Sequence, residues 1–139
     1  MGLGEDVELA GYLDADTLAR AYAASDAFVF PTAFVEGFPT VLAEAMAAGL
    51  PIVTTAVRGA VDHLRDEINA IFVPAHDPRA IAAAVGRLLT DTALREAMSY
   101  ANREKVKEFA PANVVEAYVA AIATAHGQGI EHRAESPRS

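Results

Sequence analysis

Residues 36–49 read EGFPTVLAEAMAAG, and this stretch contains the signals that decide the fold. Pro39 suits the first turn of an α-helix, because its ring fixes φ and its missing N–H would have no helical partner there. The alanine-rich run that follows stops at Gly49, and Gly49 followed by Pro51 is typical of a helix end. The stretch therefore predicts a helix that begins after a Gly-Phe-Pro loop and ends before a new element.

Short apolar runs stand on both sides of this helix and predict strands. They are apolar on both faces, which is typical of strands buried in a parallel sheet. The runs are VELAGYL (7–13), AFVFP (27–31), PIVTT (51–55) and IFVP (71–74). Because strands and helices alternate along the chain, the sequence predicts an α/β fold with a Rossmann-like parallel sheet and helices on both faces.

The remaining segments are predicted to be helical. They are DADTLARAYAASD (14–26), a short helix within 56–70, 77–91 with Ile81, Val85, Leu88 and Leu89 on one stripe, 92–109, and 112–126 with Val115, Tyr118, Val119 and Ile122 together. We interpret residues 1–126 as one domain. The polar, aperiodic residues 127–139 are interpreted as a flexible C-terminal tail.

Composition and charge exclude several classes of function. The chain has 11 Lys plus Arg against 19 Asp plus Glu, a formal net charge of -8, which opposes nonspecific binding to nucleic acid. There are no cysteines, so disulfides and thiolate metal sites are excluded. No apolar run approaches the roughly 20 residues of a membrane span, and the N-terminus has no export signal, so we expect a cytoplasmic protein.

The loop before the helix is the candidate ligand site. In a parallel sheet, ligands bind beyond the carboxyl ends of the strands, where residues 32–40 are expected to lie. Gly37 lets the backbone approach a ligand closely, and the amides of Phe38, Thr40 and Val41 could receive a phosphate oxygen near the helix start.

Two glutamates, Glu36 and Glu44, stand beside this predicted anion site. Carboxylates accept hydrogen bonds from hydroxyl groups, so the diols of a sugar and of a ribose would satisfy both without adding charge. A nucleotide diphosphate sugar offers both diols. The competing interpretation is that both glutamates only favour the positive end of the helix, which contributes about 0.3 to 1 kcal/mol each.

The run PTAFVEGFPTVLAEAMAAGLPIVTTAVRGAVDHL (31–64) resembles the C-terminal, donor-binding domain of retaining glycosyltransferases of family 4, which have the GT-B fold. The resemblance covers about residues 7–122. It includes the Pro-Ser/Thr loop, the E-x7-E motif, a counterpart of the Gly-Gly turn, and a counterpart of the Asn-Gly motif.

The resemblance implies a role for each motif residue. Glu36 would lie at the transferred sugar as the catalytic residue, and Glu44 would bind the ribose. The other matching positions are implied to bind the donor: Gly37, Phe38, Pro39 and Thr40 in the loop facing the sugar and diphosphate, Val41 at the helix start, and Pro31 and Thr32 near the nucleoside. No cofactor and no metal are implied.

The sequence also departs from the family pattern. The loop from Pro31 to Glu36 is one residue longer than usual, Arg58-Gly59 replaces Gly-Gly, and Asn69-Ala70 replaces Asn-Gly. Ala70 must therefore avoid the positive φ that glycine permits, or tolerate its cost. Donor identity stays open.

Parts of the family's architecture have no counterpart. The resemblance implies that the first two strands of the domain, with the arginine and lysine that neutralise the diphosphate, and the N-terminal acceptor domain, with its cleft histidine, are missing. We expect Arg58, Arg65, His63, His76, His126 and His132 to be surface or tail residues. Membrane proximity is expected only through the absent N-terminal domain.

The resemblance implies the donor-binding part of a retaining hexosyltransferase, with an unknown acceptor, that is inactive on its own. Two alternatives stay open. One is a noncatalytic module that needs a partner chain or swaps strands as a homo-oligomer, because the missing strands leave a gap in the sheet. The other is a nucleotide-sugar epimerase with the GT-B fold.

Overall fold

The computed structural model describes residues 4, 6–34, 37–114 and 119–120. Contacts between residues divide the chain at the Arg103–Glu104 bond into two compact units. The first unit carries the sheet and the candidate site. In the second unit, exposed ion pairs join Lys105 to Glu108 at 2.7 Å and Lys107 to Glu104 at 2.6 Å.

The described residues include three strands and five α-helices, besides a helical segment at 111–114. In chain order they are α1 (Ala15–Ala24), β1 (Phe28–Phe30), α2 (Thr40–Ala47), β2 (Ile52–Thr55), α3 (Arg58–Val61), β3 (Ala70–Val73), α4 (Pro78–Thr90) and α5 (Thr92–Val106), followed by a 3₁₀ turn at Lys107–Phe109. The predicted alternation of strands and helices is confirmed.

The strands form one parallel sheet in the order β1-β2-β3. Val29 lies opposite Val53, and Val53 lies opposite Ile71. All four residues of the central strand β2 are buried. This is the predicted α/β fold with a parallel sheet, in which a continuous apolar strand is covered on both faces.

The predicted strand at residues 7–13 is wrong. These residues pair with no strand in the described part of the chain, and Leu9 and Tyr12 are 93% and 96% exposed. A strand is stable only when a neighbour receives its backbone hydrogen bonds, and β1 pairs with β2 alone among the described residues. Gly11, with φ +64°, also interrupts the extended run.

Side-chain caps explain where two helices begin. Asp14 accepts a hydrogen bond from the Thr17 amide at 2.8 Å and starts α1. Asp77 accepts from the Arg79 and Ala80 amides at 3.0 Å each, with Pro78 in the first turn of α4. The hydrogen bonds from Thr17 lower the pKa of Asp14. Its contribution to stability is therefore present above the ordinary value of 3.8 and is lost as the pH falls through the folded-state pKa.

The apolar core lies between the sheet and the helices α4 and α5. Its buried members are Val53, Ile71, Val73, Ala84, Leu88 and Met98. The predicted stripe on α4 is correct for Leu88, with Ile81 and Val85 partly buried, but wrong for Leu89, which is 62% exposed. Successive helical residues differ by about 100° around the axis, so Leu89 turns away from the surface that Leu88 covers.

A buried polar network ties α5 to the loops that lead into β2 and β3. The side-chain amide nitrogen of Asn102 donates to the backbone carbonyl of Leu50 at 2.8 Å and to that of Asn69 at 3.0 Å. The Asn69 amide donates in turn to the Asn102 side-chain oxygen at 3.1 Å. Asn102 is 0% exposed and Asn69 is 4% exposed. The Arg65 backbone amide donates to the Asn69 side-chain oxygen at 3.3 Å, so each side-chain nitrogen and oxygen of this pair has a hydrogen-bond partner.

The predicted helix stop at Gly49 is confirmed and supports the first stability prediction. Gly49 has φ +75°, and a Cβ added there would lie 2.4 Å from the Arg103 guanidinium. We expect Gly49→Ala to lower the free energy of unfolding by about 1 to 2 kcal/mol, since the left-handed backbone costs that much for a residue with a Cβ. Urea denaturation measures the change.

Gly86 provides the matched control for this substitution. It lies inside α4, and an added Cβ would have no neighbour within 4 Å. We expect Gly86→Ala to raise the free energy of unfolding by about 0.4 to 1 kcal/mol, because it restricts the unfolded chain in a helix-compatible position. Equal effects of the two substitutions would contradict the assignment of Gly49 as the helix-ending residue.

The last predicted helix and the tail fall mostly outside the described residues. Residues 111–114 are helical, and Val119 is 61% exposed. Val115, Tyr118 and Ile122, with the domain end at 126 and the tail 127–139, lie outside the described residues. Within the described ranges, no helix combines the length and apolar character needed to cross a membrane.

Candidate functional site

Hydrogen bonds from β2 hold the beginning of the candidate loop. The Thr54 hydroxyl donates to the Phe30 carbonyl at 2.8 Å, and the Thr55 hydroxyl donates to the Thr32 carbonyl. Thr54 and Thr55 are buried, while Thr32 is half-buried. Thr32 also accepts a hydrogen bond from the Phe34 amide at 3.2 Å. The chain therefore leaves the carboxyl end of β1 in a fixed direction.

The loop continues through residues that the structure describes only in part. Glu36, the predicted catalytic residue, and Val35 lie outside the described residues. Gly37 is exposed, has no positive φ, and would carry a Cβ in open space. No backbone strain therefore requires glycine here. Its role in allowing a ligand to approach stays a prediction.

The N-terminus of α2 follows directly, one residue later than the prediction that placed Pro39 in the first turn. Pro39 is the N-cap residue, one position before the first turn, and it makes no side-chain capping hydrogen bond. Thr40 is exposed and Val41 is half-buried. The first amides of a helix have no intrahelical acceptor, so the N-terminus of α2 presents backbone N–H groups without a side-chain cap.

Glu44 lies on the exposed face of α2, away from the buried Leu42, Ala45 and Met46. Thr40 and Glu44 are four residues apart, so both lie on the same face of the helix. The structure therefore brings the helix start and the second glutamate to one surface.

Tyr22 of α1 is a site residue that the sequence analysis missed. Its hydroxyl donates to the Glu44 carboxylate at 3.0 Å, and its ring contacts the Phe28 ring with a centroid distance of 5.7 Å. Partial burial, together with the hydrogen bond to Glu44, raises the pKa of Tyr22 to about 12. The only signal in the sequence was an aromatic residue with a polar tip near the end of α1, which does not identify its partner.

This contact predicts an abnormal tyrosine titration. Because the pKa of Tyr22 in the folded state lies above the ordinary 10.0, folding holds this proton more tightly. The contribution to stability is complete below pH 10 and is lost as the pH rises through about 12. Ultraviolet absorbance of the tyrosinate should show one late-titrating group that Glu44→Gln shifts to lower pH. A titration unchanged by this substitution would contradict the contact.

A groove runs between α1 and α2 beside this hydrogen bond. Its volume is about 460 Å³. Alanine side chains make up most of its wall, together with Leu18, and Tyr22 and Glu44 supply the polar groups. A second, polar cleft of about 440 Å³ lies near Gly49 and Arg103. It shares Tyr22, Ala23 and Ala48 with the groove and does not include the candidate loop.

His63 also reaches the candidate loop, although the sequence analysis treated it as a surface residue. It is exposed, yet its ring meets the Phe38 ring edge-on with a centroid distance of 4.8 Å. The segment after α3 is thereby joined to the Gly-Phe-Pro loop. Such a contact depends on the course of two loops through space, which no local pattern predicts.

The other described arginine and histidine candidates lie at the surface, as predicted, and Ala70 of the unusual Asn-Ala pair avoids a positive φ. The Arg58 side chain is 84% exposed and lies 4.0 Å from Asp62, and Arg65 is exposed. His76 is exposed as well. Ala70 begins β3 without a positive φ, so it avoids the strain that the loss of glycine would cause. His126 and His132 lie outside the described residues.

No group of three or more His, Asp or Glu side chains in the described part of the chain is arranged to hold a metal ion. What the described site offers is a row of backbone amides at a helix N-terminus and an exposed carboxylate on the same helix. The first can bind an anion and the second can accept hydrogen bonds from hydroxyl groups.

Comparison with known proteins matches this arrangement to one family. Residues 1–105 match the model of the glycosyl transferases group 1 family. The chain is 37% identical over 91 residues to a D-inositol 3-phosphate glycosyltransferase of Salinispora tropica, covering 66% of this chain and 19% of that protein. The chain spans about a fifth of the length of the curated relatives it matches.

Solved structures of glycosyltransferases also superpose on the chain. Sucrose-phosphate synthase from Thermosynechococcus elongatus superposes with a TM-score of 0.74 at 31% identity, over 94% of this chain and 32% of that one. The pneumococcal O-GlcNAc transferase GtfA, solved in complex with UDP and GlcNAc, superposes with a TM-score of 0.67 at 25% identity, over 86% of this chain and 24% of that one. The structural neighbours are glycosyltransferases with the GT-B fold. The chain belongs to the glycosyl transferases group 1 family.

Proposed function

We propose that this chain is the C-terminal, donor-binding part of a retaining glycosyltransferase of family 4, and that it binds a nucleotide diphosphate sugar. The observation that carries the proposal is the position of Glu44. It lies on the same face of α2 as Thr40, one turn after a helix N-terminus without a side-chain cap, in the helix that follows β1. Family membership supports the class of reaction.

Each part of the donor has a proposed partner. The amides around Phe38, Thr40 and Val41 bind the diphosphate, because a helix N-terminus favours anions. Glu44 accepts hydrogen bonds from the ribose hydroxyls. Glu36 lies at the transferred sugar and stabilises the positive charge that develops in the transition state. The complex of the related pneumococcal transferase with UDP and GlcNAc supports a donor of this type.

The charges on this chain bear on what it does alone. Arg58 and Arg65 are exposed, and the formal net charge is -8. Within this chain, backbone amides would therefore bind the diphosphate. In the family pattern, its cationic partners come from the first two strands of the domain. We expect donor binding by this chain without transfer. Activity of the whole protein, its retaining stereochemistry and its independence of metal are part of the proposal.

Calorimetric titration with UDP-glucose, GDP-glucose and ADP-glucose tests donor binding. We expect one of the three to bind, with the same affinity when EDTA is present. Glu44→Ala should weaken that affinity by about 10- to 100-fold, because it removes hydrogen bonds to a charged acceptor.

Glu96→Ala is the control for this titration, since Glu96 is an exposed glutamate of α5 that lines neither the groove between α1 and α2 nor the candidate loop. It should leave the affinity unchanged. Absence of binding for all three nucleotide sugars would refute the proposal.

A second candidate function rests on the edge of the sheet. Among the described residues β1 pairs only with β2, and Val29 of β1 is 39% exposed. An unpaired parallel edge is a template for another strand. The chain would then act as a noncatalytic module that associates through β1. Light scattering should show a dimer that Val29→Lys dissociates, and a strict monomer at high concentration would exclude it.

A further inference from the structure

We propose that Tyr22 is a positioning residue that fixes the Glu44 carboxylate for the ribose hydroxyls and so helps the site to select ribonucleotides over deoxyribonucleotides. This inference rests on the proposed function, because it gives Glu44 the ribose as its ligand. The juxtaposition that carries it is the 3.0 Å hydrogen bond from the Tyr22 hydroxyl to Glu44 Oε2, between side chains 22 positions apart in sequence.

Tyr22 is restrained by a contact of its ring and by the hydrogen bonds at both ends of its helix. Its ring contacts the Phe28 ring of β1 at 5.7 Å, and the Phe28 ring stacks on the Phe30 ring at 6.1 Å with an angle of 12° between the planes. Its helix is capped at the start by Asp14 and closed at the end by the Ser25 amide, which donates to the Tyr22 carbonyl at 3.2 Å. The hydroxyl is therefore presented from a side chain with little freedom.

The glutamate, in contrast, has few restraints of its own. Glu44 is exposed on α2, and its carboxylate accepts a hydrogen bond from Tyr22. A long, exposed side chain loses rotamer freedom when it binds a ligand. A hydrogen bond that already selects one rotamer removes part of that cost before the ligand arrives.

The contact leaves the carboxylate able to bind a diol. An ionised carboxylate has about four acceptor positions on two oxygens. Tyr22 occupies one of them on Oε2, so Oε1 and the remaining position on Oε2 stay available. The groove of about 460 Å³ between α1 and α2 leaves space beside these oxygens. Tyrosine and ribose can thus bind the same carboxylate together.

Selectivity for ribose follows from the fixed geometry. A carboxylate held in place gains hydrogen bonds from both ribose hydroxyls, whereas a 2′-deoxyribonucleotide offers only the 3′-hydroxyl and a 2′,3′-dideoxyribonucleotide offers neither. Without Tyr22 the carboxylate must be ordered by the ligand itself. The loss caused by removing the tyrosine hydroxyl should therefore appear with ligands that carry the diol and vanish with ligands that lack it.

The experiment compares UDP with 2′,3′-dideoxy-UDP on the full chain and on Tyr22→Phe. We expect Tyr22→Phe to weaken UDP binding by about 3- to 10-fold, the range of one hydrogen bond, and to leave dideoxy-UDP binding unchanged. Tyr12→Phe is the matched control, since Tyr12 is 96% exposed, and it should change neither affinity. If the chain binds a guanine or adenine nucleotide instead, GDP or ADP is compared with its own 2′,3′-dideoxy form.

The possible outcomes distinguish a failure of this inference from a failure of the proposed function. An equal loss for the ribose and dideoxyribose ligands would show a purely structural role for Tyr22 and overturn the inference alone. Wild-type binding with no change in Tyr22→Phe would do the same. Absence of nucleotide binding by the wild-type chain would overturn the proposed function, and this inference with it. Circular dichroism melting of Tyr22→Phe checks that its fold is kept.

Discussion

Asn102→Ala is expected to lower the free energy of unfolding by about 3 to 5 kcal/mol, because it leaves three buried polar groups without a hydrogen-bond partner. The Leu50 carbonyl and the Asn69 carbonyl lose their donor, and the Asn69 amide loses its acceptor. Asn102 itself is 0% exposed. Each unsatisfied buried group costs about 1 to 3 kcal/mol, and partial rehydration reduces the sum. Urea denaturation followed by circular dichroism measures the change.

Asn113→Ala is the control for the asparagine substitution. The Asn113 amide also donates to a backbone carbonyl, that of Lys107 at 2.6 Å, but it does so at the exposed surface. Water replaces that hydrogen bond when the side chain is removed, so the expected loss stays below about 1 kcal/mol. Similar losses for both substitutions would show that the Asn102 network does not exclude water.

Leu88→Ala is expected to lower the free energy of unfolding by about 2 to 5 kcal/mol, through lost apolar burial and the cavity left behind. Leu88 is 1% exposed and belongs to the core cluster with Val53, Ile71 and Met98. The cavity would lie between α4 and the sheet, where close packing limits collapse. Thermal or urea denaturation at one pH gives the difference.

The neighbouring leucine is the matched control on the same helix. Leu89 is 62% exposed, so Leu89→Ala removes little buried area. We expect a change within about 0.5 kcal/mol, the usual range for surface substitutions. A loss at Leu89 as large as that at Leu88 would mean that the outer face of α4 is covered in solution.

Local chemistry explains the elements that were predicted correctly. Asp14, Asp77, Pro39 and Gly49 act within one turn of their own position, so the helix starts and the helix stop follow from the sequence. The apolar run PIVTT predicts a buried central strand because both faces of a parallel strand require apolar residues.

Elements that depend on distant neighbours could not be predicted in this way. VELAGYL at 7–13 has an apolar pattern like the true strands, but an extended segment becomes a strand only when another strand pairs with it. The same holds for Leu89, whose periodicity is compatible with a wider apolar face than the sheet covers.

The sequence by itself determined the α/β class, the order of the elements from α1 to α4, and the position of Gly37–Val41 and Glu44 around one helix start, because each follows from contacts along a few turns of chain. Only the tertiary structure decided that Tyr22 meets Glu44, that His63 meets Phe38, and that Asn102 joins the loops before β2 and β3. The physical reason is that the members of these pairs are 22 to 52 residues apart in sequence, and only the packing of helices and loops around the sheet brings them into contact.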